Sequence, residues 1–371
     1  MDRFKKKSML TKGSLIFIFL SIAIMLGILF WTTDSETWDY FQKFNLYYVP
    51  ILLSLAFLKW IIDGMAFVSM AKHSAHCNLS LKRATFIRLE SNFVGSVVPV
   101  LVGTVSMHAY LLHREKMRAG ESIAITALRA ILPVVIFLFN IPIFFIIQPG
   151  LPSDQFFTSL LKVVTIPIII IVALIMISLF YPKSIKDIAS SIIRKWGRIK
   201  FFHVERILAL EEKFFKEIDH FSKIFRLFLK KRKLTLILAT FWIMFSFIIE
   251  FFIAIAIMKG FGFHPPIIRC LAIQFLIRPI IYFAPSPGGA GFWEFTYLGV
   301  FSMYMPHKLI GISVLIWRIL ITYLPVIFGG IFLSREFRYD SNLREVMIEK
   351  GRIPDEELEY ENDENDDEND K

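Results

Sequence analysis

Charged side chains set inside apolar sequence are where this chain could do chemistry. Arg278, Glu294 and Arg318 interrupt long hydrophobic runs, and Asp63, Arg88, Arg129 and Glu250 do the same elsewhere. A charge at a bilayer centre costs at least about 2.5–3.5 kcal/mol on insertion scales, so it needs a partner and usually a purpose. A guanidinium fork matches a phosphate bidentately, so arginines placed this way suit a phospholipid or polyprenyl-phosphate better than a neutral molecule. Arg129 and Arg318 could instead snorkel towards a membrane surface. Asp63 and Glu250 are candidate counter-charges, or sites for a cationic headgroup or a coupling proton. The eight histidines form no H-E-x-x-H pattern, and no Walker, G-x-S-x-G or D-x-D signature appears. Cys77 and Cys270 are too few and too far apart for a disulfide framework. No metal or cofactor is expected.

The element that must position two of these charges is Arg278–Phe301, RPIIYFAPSPGGAGFWEFTYLGVF. An apolar stretch runs into Pro285 and Pro287, crosses Gly288, Gly289 and Gly291, and resumes at Phe292. Proline lacks an N–H and clashes with the preceding turn, so a helix stops here, and the glycines permit backbone geometries that other residues resist. Non-helical backbone at membrane depth is tolerated only where protein or a water-filled cavity satisfies it. An Arg278–Glu294 pair would fix the two arms of this hairpin, and headgroup binding is the competing reading. A second break is expected within Phe86–Leu112, at Pro99 and Gly103, so that this segment enters, breaks and returns; the alternative is one helix kinked at Pro99, which would flip the parity of all that follows.

Hydrophobic residues make up 55% of the chain, 39 of its 371 residues are Phe, and mean hydropathy is +0.57. These values exclude an ordinary soluble domain and predict an all-α, polytopic membrane helix bundle. Apolar segments are expected at Ser14–Trp31, Leu46–Ala71, Ser122–Gln148, Leu160–Tyr181, Leu234–Met258 and Leu309–Leu333, with broken pairs at Phe86–Leu112 and Ile267–Met305. Lys and Arg cluster in alternate connections, which predicts that both termini are cytoplasmic in a multi-pass plasma-membrane protein. Pro182–Lys233 carries fifteen Lys/Arg against six Asp/Glu. Its apolar residues recur at three- and four-residue steps, as in an amphipathic helix lying on anionic inner-leaflet lipid or linking two halves of the protein. Residues 1–333 thus read as a membrane domain and 334–371 as an acidic, disordered cytoplasmic tail. Nucleic acid is not an expected partner.

A weak internal symmetry joins the breaks. Asp63, Arg88 and Arg129 stand 36 and 11 residues before and 30 after Pro99, while Glu250, Arg278 and Arg318 stand 37 and 9 before and 31 after Pro287. Like-ordered units of opposite orientation would form an inverted-topology repeat, with substrate near the midplane.

PSPGGAGFWEFTYLGVF resembles the signature of the lysylphosphatidylglycerol synthase transmembrane-region family, which includes flippase-like proteins. In that family a P-x-P-G-G-x-G segment is followed by an acid, here Glu294. Arg88, Asn92, Pro99 and Gly103 resemble its first-half element, as does Arg129 beyond it. Thr104 and Met107 depart from the Gly-Glu and basic residue that usually follow. The resemblance covers most of Met9–Leu333 and implies a flippase-like membrane protein. Full-length lipid-modifying members carry a soluble synthase domain, for which the residues after the last expected helix are too few.

Two classes of function fit. One is a lipid translocase, in which broken helices shelter an anionic or phosphate headgroup while the acyl chains stay in lipid. The other is a membrane-embedded transferase with Glu294 or Asp63 as general base, or an accessory protein in phospholipid or polyprenyl-phosphate-linked glycan synthesis. Charges spread with two-fold order, rather than clustered on one face, favour transport.

Overall fold

The structure, a computed structural model, describes residues 2–35, 37–72, 78–98, 100–147, 230, 232–282 and 286–349. Leu160–Tyr181, Pro99, Pro285, the acidic residues from Asp355 and nearly all of the amphipathic segment at 182–233 lie outside the described residues.

The described residues are helical, with no β-strand among them. In chain order the helices are α1 (Asp2–Thr32), α2 (Thr37–Gln42), α3 (Tyr48–Ala71), α4 (Leu81–Val97), α5 (Val100–Arg114) and α6 (Ala119–Ile147). After them come α7 (Lys233–Gly260), α8 (Ile267–Tyr282), α9 (Phe292–Ser302), α10 (His307–Arg318) and α11 (Leu324–Glu349), the last two joined by a π-helical turn, Ile319–Tyr323. Tyr48–Ala71, Gly120–Phe137, Lys233–Gly260 and His307–Arg338 are long and apolar enough to cross a membrane.

Length separates these from the broken pairs. The 24 residues of α3 extend about 36 Å at roughly 1.5 Å each, beyond the ~30 Å of a hydrocarbon core. The 17 and 15 residues of α4 and α5 reach only about 25 and 22 Å. Neither crosses alone, and together they fold back. Val98, which precedes a proline, ends α4 in an extended conformation, φ −126° and ψ 174°. A Cβ on Gly103 would lie 2.8 Å from the Val94 carbonyl oxygen and 2.9 Å from Gly95 Cα, so glycine is what allows α5 to return against α4. Arg83, near the start of α4, donates to Glu115, just past the end of α5, at 2.5 Å. The two feet of the hairpin therefore stand together.

The second pair, α8 and α9, is tied in the same way. Tyr297 donates its hydroxyl to Gln274 Oε1 at 3.0 Å, and the Gln274 amide donates to the carbonyls of Phe251 and Cys270. The expected helix at Leu309–Leu333 lies within one helical run, His307–Arg338, interrupted by a π turn at Ile319–Tyr323. Pro325 explains it: it has no N–H for the carbonyl four residues earlier, and its ring displaces that turn.

Two apolar cores flank the middle of the bundle. One gathers Ala66, Phe67 and Met70 of α3 with Ile87, Leu111, Leu128 and the first half of α7. The other gathers Leu52 and Ala56 of α3 with Ile253–Met258 of α7 and residues of α8, α9 and α10. Between them, on the closely packed α3 and α7, sit Lys59, Asp63 and Glu250.

Candidate functional site: a charged cavity between two broken helix pairs

The breaks converge. Gly288 N–H bonds the Gly95 carbonyl of α4 at 3.3 Å, joining the second break to the first hairpin. Gly288, Gly289 and Gly291 have φ of +58°, +65° and +88°, left-handed values that disfavour any side chain. At Gly289 a Cβ would also lie 2.7 Å from the Trp293 ring. These glycines were expected to need such geometry, and they do.

Around the meeting point is a cavity of about 160 Å³ lined from both halves of the chain. Lys59, Asp63, Arg88, Arg129 and His108 come from α3, α4, α6 and α5, and Glu250, Arg278, Gly288, Trp293 and Thr322 from the later elements. Its lining carries four Lys or Arg (Lys59, Arg88, Arg129, Arg278) against two carboxylates (Asp63, Glu250).

Asp63 organises the first half. Its Oδ1 accepts from Arg129 Nη2 at 2.9 Å and from the Ser246 hydroxyl at 2.8 Å. Its Oδ2 accepts from Lys59 at 3.0 Å and from Arg88 Nε at 3.4 Å. Glu250 organises the second half, with Arg278 Nη1 3.0 Å from Oε1 and Arg278 Nη2 donating to Oε2 at 3.3 Å. Lys59 also lies 3.4 Å from Glu250, so one ammonium bridges both acids. The Arg278 guanidinium is centred 4.3 Å from the Trp293 ring, a cation–π contact. Its Nε and the Nε2 of His108, a residue 3% exposed, have no hydrogen-bond partner among the described residues. Donor capacity in the cavity is therefore unspent.

Glu294 and Arg318 lie behind this lining. Both are fully buried, and their Oε1 and Nε are 2.9 Å apart. Glu294 Oε2 accepts from Gly291 N–H at 2.9 Å, capping α9 from its third residue. Arg318 donates to the Gly288 carbonyl at 3.2 Å and to Thr322 at 2.9 Å. The expected Arg278–Glu294 pair is thus replaced by two others, Arg278–Glu250 and Glu294–Arg318. Capping turns Glu294 back onto its own helix start, while α8 lays Arg278 against α7. Arg88, Arg129 and Arg278 reach the cavity directly; Arg318 reaches it only through Gly288 and Thr322.

Residues 18–329 match the family described as the lysylphosphatidylglycerol synthase TM region. The chain belongs to that family. It is also 21% identical over 323 residues to a UPF0104 membrane protein of Archaeoglobus fulgidus, covering 86% of this chain and 96% of that protein. In this member of the lysylphosphatidylglycerol synthase TM region family, the P-x-P-G-G-x-G break seats against the first hairpin at Gly95.

Several site residues were not singled out by sequence reasoning. Lys59 carried a usable signal: it stands four residues before Asp63 in an otherwise uncharged helix, a spacing that places both on one face. Ser246 stands four residues before Glu250 on the same principle. His108, Trp293 and Thr322 carried none, because only the fold brings them to the cavity.

A second charge cluster sits at the feet of the first hairpin. Arg83 contacts Glu90 at 3.1 Å, Glu115 at 2.5 Å and Glu336 of α11 at 2.6 Å, and Arg114 contacts Glu336 at 3.0 Å. Burial works against the Arg83 charge, but the Glu115 hydrogen bond and the Glu90 and Glu336 charges outweigh it and raise its pKa.

Proposed function

We propose that this protein is a lipid translocase that carries an anionic or lipid-linked phosphate headgroup through the cavity. The observation that carries the reading is the cavity lining, with two more cations than carboxylates, drawn from both halves of the chain. In the empty state Asp63 and Glu250 hold the arginines, so no bare charge meets hydrocarbon. An entering phosphate exchanges with those carboxylates as the guanidinium partner, using donors such as Arg278 Nε. Arg318 and Glu294 keep the glycine break in the shape that closes one wall.

The reading extends to an inverted-topology repeat, with α3, the first hairpin and α6 answering α7, the second hairpin and α10. Asp63–Arg88 and Glu250–Arg278 support it as like pairs at like offsets. The reading puts both termini in the cytoplasm of a plasma-membrane protein; the tail expected from residue 334 instead begins as α11, which continues to Glu349. The basic segment 182–233 would meet anionic inner-leaflet lipid. The transferase alternative loses ground on its two candidate bases: the oxygens of Glu294 face Gly291 N–H and Arg318, and those of Asp63 are held by Lys59, Arg88, Arg129 and Ser246.

The test is reconstitution into liposomes with labelled lipids of differing headgroups. Transbilayer movement of anionic lipids, faster than that of zwitterionic ones, is the expected result. Failure with every lipid beside an active control, together with a covalent lipid product, would favour the transferase.

A further inference from the structure

An apolar groove of about 850 Å³ runs between α1 and α11, walled by Phe17, Ile22, Met25, Tyr323, Ile327 and Ile331. No Lys, Arg, Asp or Glu lines it. It adjoins the charged cavity, with Ser96 and Val326 lining both. At the junction Ser21 and Tyr323 share a hydrogen bond of 2.7 Å, the Arg318 guanidinium lies 5.8 Å from the Tyr323 ring, and Phe17 packs against Gly288. A polar chamber thus opens beside a hydrocarbon-like trough along the outer face of the bundle. That division fits an amphiphile whose two ends differ in the same way: an acyl chain is matched in the trough as it is in lipid, while a phosphate there would be unmatched.

We infer that the groove holds an acyl chain of the phospholipid whose phosphate occupies the cavity, making α1 and α11 the lateral entrance for substrate. The inference rests on the translocase reading and adds to it where the tail lies and which helices flank it. Ile327 and Ile22, 56% and 52% exposed, face the space the chain would fill.

The full chain in phosphatidylcholine nanodiscs, with phosphatidic acid bearing a diazirine on one acyl chain, would test this. Cross-links mapped by mass spectrometry should fall on α1 and α11 near Ile22 and Ile327. They should exceed those on Ile237 and Phe241, exposed residues of α7, several-fold. Ile327→Trp, which fills the groove from an exposed position, should remove most of the α1 adducts, and Ile22→Trp those on α11. Equal labelling of α7 would overturn the proposal by making the groove ordinary lipid-facing surface, as would labelling that neither tryptophan reduces. So would a cross-link placing residues 160–181 of this chain in the groove. Specific labelling without lipid movement in liposomes would uphold the groove and count against the translocase. Movement without groove labelling would overturn the groove alone.

Discussion

At the scale of residues, the decisive distinction is between charges that face the cavity and charges that build its wall. Glu294 and Arg318 are fully buried against each other and against the glycine backbone. Breaking a buried pair by removing one partner costs about 3–5 kcal/mol, so Glu294→Gln and Arg318→Met should each lower thermal stability sharply, and the double variant by much less than their sum. Unchanged melting with lost transport would make them headgroup ligands instead. Gly291 offers a cleaner probe, because a Cβ there meets only Ile24 Cδ1, at 3.7 Å, yet φ is +88°. Gly291→Val should cost about 1–3 kcal/mol through backbone strain and abolish lipid movement more than it lowers expression. A fully active Gly291→Val protein would make the break a passive loop. The charges themselves were legible in sequence, since a charge within an apolar run must be satisfied. Their pairing was not, because which carboxylate an arginine meets depends on how neighbouring helices are rotated. Glu294 went to Arg318 for a local reason, helix capping, that its position three residues after Gly291 already carried.

At the scale of elements, two short helix pairs meet between two long helices. The proline and glycine signals located both breaks, and the lengths of the apolar runs gave α3 and α7 nearly to the residue. The π turn after Arg318 was not anticipated, although Pro325 within an apolar run was its visible cause. The α1–α11 groove had no signal at all, since two apolar helices look alike in sequence whether they touch or part. For the first hairpin the geometry makes a direct prediction. Lys82 and Lys116 are exposed, one at each foot, and Arg83 bonds Glu115 beside them. Lys82→Cys and Lys116→Cys should react with a membrane-impermeant thiol reagent from the same side in sealed vesicles. Labelling from opposite sides would mean that the pair crosses the membrane, and the parity of every later helix would change.

At the scale of the whole molecule, a charged chamber lies between two apolar cores and beside an apolar trough. Hydrophobic burial does not drive helices together within lipid, so close packing and internal polar contacts must hold such a bundle. Here Lys59, shared between Asp63 and Glu250, joins the halves where any substrate would have to displace them. The central claim is that the cationic surplus of this chamber selects and carries lipid phosphate. Arg88 tests it with least damage to the fold, because its side chain is 21% exposed and Asp63 keeps Lys59, Arg129 and Ser246 without it. A hydrogen bond to a charged group is worth about 1.5–3 kcal/mol, or roughly tenfold or more in rate if made in the limiting step. The measurement is transbilayer movement of labelled phosphatidic acid in liposomes holding equal amounts of wild-type or Arg88→Gln protein of matched thermal stability. Fast movement by the wild type, and movement slowed by roughly tenfold or more in the variant, is the expected result. Equal rates in the two, or no movement above protein-free liposomes, would contradict it.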